Sequence, residues 1–277
     1  MQNLYLMMHQ TRPDALALAQ RVTDALQAQG LQVCPEPWLT GEKREADPAD
    51  CPLMDAIVAV GGDGTLLRAT QMAIARDVPV LGINVGHIGF LVETELTHLD
   101  EACRRLRDDD YTLDTRMMLD VQLRDGTVKT ALNDVVISRG GYARLIAVTA
   151  TVGRELVGRY IADGLIVSTP TGSTGYSLSA GGPIVCPEVD CLLLSPICPH
   201  SLQHRPVVAS AAQPITLALD CAPEQTAQLD VDGRMVATLA GREQVTIRRS
   251  QTVAKLIRFG SHSFFQRIRE KLTEWSC

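Results

Sequence analysis

Val60-Gly61-Gly62-Asp63-Gly64-Thr65 is the stretch from which the fold can be worked out. Residues 56–60, which lead into its glycines, form a short, apolar and largely β-branched run that predicts a buried strand. Residues 66–75, which follow it, are rich in helix formers and predict a helix. The three glycines therefore lie on a strand-to-helix turn, where glycine lets a ligand approach the main chain closely.

The carboxylate of Asp63 is the unusual feature of this turn. Consecutive N–H groups at such a turn, with a helix N-terminus behind them, form an anion site. Asp63 would repel a phosphate there unless it accepts a proton or binds a metal, so it is a candidate general base or Mg²⁺-linked group. The alternative is an ordinary tight turn, because turns favour Asp. The chain has no G-x-x-x-x-G-K-[ST] motif, which excludes a P-loop of the usual kind.

Length and composition limit the class of protein. A chain of 277 residues with 45% hydrophobic residues can form one large or two ordinary globular domains. A net charge of −6 argues against nucleic acid as a partner. The eight cysteines include no C-x-x-C pair, which disfavours a zinc cluster and suits a reducing compartment. Without a signal-like start or an apolar run of about 18 residues, we expect a soluble cytoplasmic protein with no membrane partner.

Strands and helices alternate in the first part of the chain. Strands are predicted at residues 4–8, 31–34, 56–60 and 78–84, with helices after the first and third strands, a polar surface loop at 40–50 and a further helix at 99–107. This alternation predicts a parallel sheet with helices on both faces. Ligands on such sheets bind beyond the carboxyl ends of the strands, which is where the glycine turn lies.

After Thr115 the pattern changes to short strands separated by Pro and Gly. Asp125-Gly126 predicts the turn of a hairpin, and the region as a whole predicts an all-β domain such as a sandwich. Residues 263–275 look helical and amphipathic, and we expect them to pack back on the first domain. The predicted fold class is therefore α/β plus β, with domains at 1–112 and 113–260 and a returning C-terminal helix at 261–277.

A second glycine-rich block runs from Asp163 to Pro183 and is rich in Ser and Thr. Small hydroxyls can donate to phosphate, ribose or an adenine edge, and residues 171–174 could instead cap a helix that opens at Gly175. Asn133-Asp134 precedes another apolar run, and an amide beside a carboxylate can recognise a nucleoside through complementary hydrogen bonds. The alternative for that pair is a common turn start.

With these three motifs (residues 61–64, 133–134 and 163–183) the chain resembles the NAD kinases, which phosphorylate the 2′-hydroxyl of the adenosine ribose of NAD. The first motif is shared with diacylglycerol, sphingosine and 6-phosphofructo kinases. The third is far more specific. The resemblance covers nearly the whole chain and is weakest in residues 1–50.

The resemblance implies a fold and a reaction. The fold would be a Rossmann-like N-terminal domain and a β-sandwich-like C-terminal domain, with NAD in a cleft. The reaction would transfer the γ-phosphoryl group of ATP to NAD, with Mg²⁺ or another divalent cation as cofactor. The family also implies a homodimer or homotetramer, and polyphosphate is a possible alternative donor.

By the same resemblance, Asp63 is the catalytic proton acceptor. The residues expected to bind NAD are Asp63, Gly64, Asn133, Asp134, Arg144, Asp163, Thr174, Gly175, Tyr176, Ser177, Leu178 and Ser179. Those expected to meet phosphate or ATP are Gly61, Gly62, Gly64, Thr65 and Arg68. No metal-ligating residues are assigned.

Two positions depart from the family pattern. Gly175 stands where the family usually has Ala, and Arg234 stands where Gln is common. The first should loosen the loop slightly, while the second bears on NADP inhibition and substrate preference.

Two other classes of function compete with an NAD kinase. A lipid kinase shares the glycine turn, but the block at 163–183 and the lack of a membrane-binding face weigh against it. A dinucleotide sensor without turnover is disfavoured by the intact Asp63, since a pure binder gains nothing from a carboxylate beside phosphates. The sequence leaves open the preferred donor, the use of NADH and the oligomeric state.

Overall fold

The computed structural model describes residues 1–86, 89–140, 144–222, 224–260 and 263–274. The chain divides into two compact units, the first formed by Met1–Thr115 with Ala254–Cys277 and the second by Arg116–Val253. Within the described residues, no helix is both long and apolar enough to cross a membrane.

The first unit is built on a parallel sheet. Its elements are β1 (Asn3–Met8), α1 (Ala15–Ala28), β2 (Gln32–Pro35), β3 (Ala56–Gly61), α2 (Asp63–Ile74), β4 (Val80–Asn84), β5 (Thr94–Glu95), α3 (Leu99–Arg107) and, at the end of the chain, α5 (Phe264–Glu274). The strand order is β2-β1-β3-β4, all parallel, with β5 also pairing with β4. The alternation of strands and helices in the sequence predicted this parallel pairing.

The central strands of this sheet are buried throughout, since every residue of β3 and β4 is buried. Strands covered on both faces read as continuous apolar runs, as in the sequence. One cluster joins Val58 and Val60 to Val22 of α1 and Leu106 of α3. The helix α2 packs against β3 and β4, and it begins at Asp63, inside the glycine turn, with Gly62 as its N-cap residue.

The second unit consists of antiparallel sheets. Its elements are β6 (Thr112–Gln122), β7 (Val128–Ala131), β8 (Asp134–Arg139), β9 (Ile146–Val152), β10 (Glu155–Ala162), β11 (Gly164–Ser168), α4 (Tyr176–Ser179), β12 (Cys191–Ile197), β13 (Val207–Ser210), β14 (Ile215–Leu219), β15 (Thr226–Val231), β16 (Arg234–Ala240) and β17 (Gln244–Arg258). One sheet has the order β13-β12-β11-β8-β15-β16, and in the other β10, β9, β14 and β17 pair in that order.

The two sheets share one core. Alternate residues such as Ile137, Val167 and Leu194 point into it from the first sheet, and Val148 and Leu217 do so from the second. This is the face-to-face packing expected for a sandwich. The opposite face of the first sheet carries a smaller cluster, Val136 with Ile166 and Ile197, against which Ala180 packs. The second glycine-rich block therefore covers that face.

The division of the chain differs in two ways from the predicted domains. It falls after Thr115 rather than at residue 112, within β6. Residues 254–260, expected in the β domain, belong to the first unit because the end of β17 pairs in parallel with β4 at Leu256 and Val80. The predicted helix at 263–275 is α5, and Trp275 lies outside the described residues.

Candidate functional site

The Asp63 carboxylate accepts two main-chain hydrogen bonds from residues 90 and 91, which follow the strand β4. Its Oδ2 accepts from Phe90 N at 2.9 Å, and its Oδ1 accepts from Leu91 N at 3.0 Å. Each oxygen therefore has one fixed donor and further lone pairs available. The side chain is half-buried at the first position of α2, so it is oriented before any ligand arrives.

Gly89 makes this arrangement possible. A Cβ at this position would overlap Oδ1 of Asp63, so only glycine lets the chain pass so close to the carboxylate. Residues 89–91 were not predicted from the sequence. The available signal was a Gly-Phe-Leu run soon after the strand β4, at the same edge of the sheet as the glycine turn.

The glycines of the turn have different roles. A Cβ on Gly61 would overlap Oγ1 of the buried Thr65, so this glycine is needed for packing. At Gly62 and Gly64 a Cβ would meet nothing within 4 Å. These two positions leave open space beside the N-terminus of α2, where free N–H groups favour an anion.

Arg68 was predicted from the sequence to meet phosphate. In the structure its guanidinium already has other partners. Its guanidinium pairs with both oxygens of Glu36, whose side chain is almost completely buried, and also donates to the carbonyl of Met8. A buried carboxylate needs such a partner, because an unpaired charge there would be very costly. The local role of Arg68 is to neutralise Glu36.

In the second unit, Asn133 and Asp134 lie at the start of β8. The main chain around them is held by Asp232, whose carboxylate accepts from the N–H groups of Leu132 (2.9 Å), Asn133 (2.8 Å) and Asp134 (3.2 Å). Asp232 has a positive φ of 48° and forms the β15–β16 turn with Gly233. Among the described residues, no donor reaches Oδ1 of Asn133, although this atom is buried. A buried acceptor without a partner is rare in folded proteins and suggests a position that a ligand completes.

Burial raises the pKa of the Asp134 carboxyl to about 7, and the negative charges of Asp232 and Asp230 add to the effect. Desolvation and like charges both disfavour the ionised form. Near neutral pH this carboxyl is therefore present in both forms, so it can either donate or accept a hydrogen bond. No role in this site was predicted from the sequence for Asp230 or Asp232.

Several hydroxyls of the second glycine-rich block turn into the fold. Thr169 Oγ1 donates to Leu132 O at 2.6 Å, and Ser173 Oγ accepts from Val185 N at 3.0 Å. The hydroxyl of Ser177 is fully buried against Ser195, 2.9 Å away, contrary to its assignment as a dinucleotide contact. These hydroxyls hold the turn together.

Two glycines bring the block onto the Asn133-Asp134 pair. A Cβ on Gly172 would overlap the carbonyl oxygen of Asn133, so the two backbones touch. A Cβ on Gly175 would lie 3.4 Å from Asn133 Nδ2 and 3.9 Å from Asp134 Oδ2. It would also lie 3.3 Å from the Gly172 oxygen, so the alanine usual in the family would fit only tightly here.

The phenol of Tyr176 is influenced by Asp134 and other nearby acidic residues. Burial raises the pKa of its phenol, and the negative charges of Cys198, Asp163 and Asp134 contribute. The residue is nevertheless 47% exposed and so accessible to a ligand. Asp163 is paired with Arg139, with Oδ1 and Nε 3.1 Å apart.

The remaining predicted residues of this unit are placed less centrally. Thr174 donates through Oγ1 to Thr171 O at 3.2 Å, Leu178 is half-buried and Ser179 is exposed. Arg144 is exposed ahead of β9, and no contact within the described chain joins it to Asn133 or Asp134. Arg234 is exposed directly after the β15–β16 turn.

The described residues include no group of three or more His, Cys, Asp or Glu side chains arranged to hold a metal ion.

Comparison with known proteins agrees with the two-part layout. Family models of the ATP-NAD kinase N-terminal and C-terminal domains match residues 4–111 and 132–259. The NAD kinase of Heliobacterium modesticaldum is 40% identical over 279 residues, covering 95% of each chain. Among solved structures, an NAD kinase from Archaeoglobus fulgidus in complex with ATP is 26% identical with a TM-score of 0.78, covering 98% of each chain.

A yeast NADH kinase complexed with NADH is similar in fold, with a TM-score of 0.87 at 24% identity, covering 99% of this chain and 88% of that one. The two family models and the Heliobacterium relative together define the present chain as a phosphotransferase with two domains. The chain belongs to the NAD kinase family, and its enzymatic activity is that of an NAD kinase.

The two kinds of glycine in the turn can be separated by substitution. We expect Gly61→Ala to destabilise the fold, because its Cβ overlaps Thr65. Gly64→Ala should leave the free energy of unfolding unchanged or raise it by up to about 1 kcal/mol, since the site is open and helical. It should nevertheless raise the KM for the nucleotide. Urea unfolding and steady-state kinetics on both variants check this, and equal loss of stability would contradict it.

The pKa of Asp134 gives a pH-dependent prediction. Its folded-state value of about 7 lies above the ordinary value of about 3.9, so the folded chain holds this proton more tightly. Stability is therefore lost as pH rises from about 4 to about 7 and stays low above that. Asp134→Asn removes this cost, and we expect the free energy of unfolding at pH 8 to rise by up to about 4 kcal/mol.

At pH 5 the gain from Asp134→Asn should shrink by more than half, as measured by urea unfolding at the two pH values. Asp163→Asn is the control, because that carboxylate is paired with Arg139 and its removal should bring no such gain. A gain independent of pH would contradict the assignment.

Proposed function

We propose that the chain transfers the γ-phosphoryl group of ATP to the 2′-hydroxyl of the adenosine ribose of NAD, giving NADP and ADP. The observation that carries the proposal is the Asp63 carboxylate, fixed by Phe90 N and Leu91 N beside the open N-terminus of α2. The curated relatives at about 40% identity are NAD kinases, which supports the acceptor. The ATP complex of the Archaeoglobus relative supports the donor.

Asp63 is proposed as the general base. The ribose oxygen attacks the γ-phosphorus, the bond from that phosphorus to the β–γ bridging oxygen breaks, and the hydroxyl proton passes to a carboxylate oxygen of Asp63. The two main-chain hydrogen bonds leave lone pairs on both oxygens for this proton. Phosphoryl transfer depends mainly on alignment and charge neutralisation, which a pre-oriented carboxylate serves.

The turn beside Asp63 is proposed to hold phosphate. Gly62 and Gly64 offer no side chain, so phosphate oxygens can reach the N–H groups at the start of α2. Thr65 is buried under Gly61, so both contribute through the shape of the turn. Mg²⁺ or another divalent cation is proposed to arrive bound to the nucleotide and to neutralise its phosphate charge.

The second unit is proposed to bind NAD through the Asn133-Asp134 pair. A hydroxyl or amide donor of the dinucleotide would satisfy the buried Oδ1 of Asn133. The Asp134 carboxyl, with its pKa near 7, can adapt to a donor or an acceptor beside it. The exposed ring of Tyr176 offers a surface for the same ligand. The other proposed contacts with NAD are Gly64, Asp163, Thr174, Gly175, Leu178, Ser179 and Arg144.

Several finer expectations stay predictions. They are the Rossmann-like description of the first unit, the cytoplasmic location, the homodimer or homotetramer, and polyphosphate as a donor. The packing of α5 on the first unit is supported by hydrogen bonds from Arg267 to the carbonyls of Phe90 and Val92.

The direct test is NADP formation by the purified chain, coupled to an NADP-specific dehydrogenase. We expect a signal that requires NAD, ATP and Mg²⁺ together. NAD binding by calorimetry without turnover would favour a sensor or a different donor. Phosphorylation of diacylglycerol or sphingosine in vesicles, without NADP formation, would favour a lipid kinase and overturn the proposal.

Asp63→Asn tests the general base. The amide keeps the shape but accepts protons poorly, so kcat should fall about 10²- to 10⁴-fold while calorimetry still detects NAD binding. The substitution also costs one main-chain hydrogen bond, because an amide has a single acceptor oxygen.

Asp55→Asn is a control for removing a charge that main-chain N–H groups hold elsewhere in the first unit. The Asp55 carboxylate accepts two main-chain N–H groups through Oδ2, from Gln2 at 2.7 Å and Asn3 at 2.8 Å, and it lies outside the glycine turn. Its substitution should leave kcat near the original value. Near-normal activity in Asp63→Asn would remove the assigned base.

A further inference from the structure

Residues 90–93, called here segment 90–93, use their main-chain groups in two directions. The N–H groups of Phe90 and Leu91 donate to Asp63, as described above. The N–H group of Glu93 donates at 2.9 Å to the carbonyl oxygen of Gly82, which is a residue of β4. The position of the segment therefore decides where the Asp63 carboxylate is held.

The carbonyl groups of the same segment are held by two arginines. Nη1 of Arg267, on α5, donates to Phe90 O at 3.0 Å and to Val92 O at 2.6 Å. Nη1 of Arg258, at the end of β17, donates to Leu91 O at 2.8 Å. Three successive carbonyls are thus fixed by guanidinium groups from the end of the chain.

Glu93 holds these arginines in place. Its side chain is 1% exposed, and its Oε2 lies 2.8 Å from Arg267 Nη2 and 3.2 Å from Arg258 Nη1. Its Oε1 accepts from Phe259 N at 2.8 Å. A carboxylate buried this deeply is stable only when its lone pairs are satisfied, so the group forms a rigid network.

Packing alone does not explain why this network contains a buried arginine at position 267. It is only 7% exposed on α5, whereas the large apolar Phe265 on the same helix is 60% exposed. An aliphatic side chain would anchor a helix without the cost of burying a charge. What the guanidinium adds is a planar fork that can reach two carbonyls and a carboxylate at once.

We propose that Arg267 is a positioning residue for Asp63. Held by Glu93, it fixes the carbonyls of Phe90 and Val92, so that the N–H groups of Phe90 and Leu91 stay aimed at the Asp63 carboxylate. The C-terminal helix is thereby coupled to the catalytic turn within the first unit. This inference rests on the proposed role of Asp63 as the general base.

The test variant is Arg267→Lys, which keeps the charge but has one nitrogen in place of the fork. We expect kcat to fall about 10- to 100-fold, with the KM values for NAD and ATP within about twofold of the original. Hydrogen exchange at the Phe90 and Leu91 amides should become faster. Glu93→Gln, which keeps the shape and removes the charge, should give the same pattern.

Arg105→Lys is the matched control. Arg105 also anchors the end of the chain, since its Nη1 donates to Phe259 O at 2.9 Å and its guanidinium lies 4.6 Å from the centre of the Phe259 ring. Among the described residues, no hydrogen bond or ion pair joins it directly to segment 90–93. Its substitution should leave kcat and the exchange of the two amides within about twofold. An equal loss of kcat in both variants would overturn the proposal.

A double substitution separates this proposal from the proposed function. If Arg267 acts through Asp63, adding Arg267→Lys to Asp63→Asn should cause no further loss of kcat. Losses that multiply would show an independent structural effect and overturn the positioning role. An inactive Asp63→Asn with a fully active Arg267→Lys would overturn the positioning role alone. A fully active Asp63→Asn would overturn both.

Discussion

The two hydrogen bonds from Phe90 and Leu91 to Asp63 resolve an apparent conflict in the glycine turn. A carboxylate at the N-terminus of a helix would be expected to use the helix N–H groups itself. Here its donors come from another segment, so the carboxylate does not depend on the N–H groups at the start of α2. This arrangement requires glycine at position 89, because a Cβ there would overlap the carboxylate.

In the second unit, the residues of the candidate site lower the stability of the fold. Its carboxyl groups are crowded, and the raised pKa of Asp134 shows that burial and repulsion disfavour its charge. Asp232 is one source of this repulsion, and it accepts three main-chain N–H groups, which stabilise its own charge and fix the start of β8. An acidic group that the fold holds at some cost, beside the buried Oδ1 of Asn133 that no described donor reaches, is typical of a binding site.

The sequence was informative where structure is local. The strand-to-helix turn at residues 61–65, the parallel pairing of the first unit and the sandwich of the second follow from patterns within short windows. Contacts that join distant residues carry no such pattern. Asp63 meets Phe90, and Asp232 meets Leu132, only because the sheets bring strand ends together. The strands β10, β13, β15 and β16 were not predicted. In β10, β13 and β16 most residues are at least partly exposed, so the alternation is weak.

The block at 163–183 shows why a specific motif does not by itself identify ligand contacts. Its sequence is distinctive largely because its side chains must build one turn, with Thr169, Ser173 and Ser177 all hydrogen-bonded inside the fold. Matching such a motif establishes the shape of the turn. The contacts proposed above instead use Asn133 Oδ1, a buried acceptor that no described donor reaches, and the open space beside Gly64. Family resemblance and an account of satisfied hydrogen bonds therefore answer different questions about the same residues.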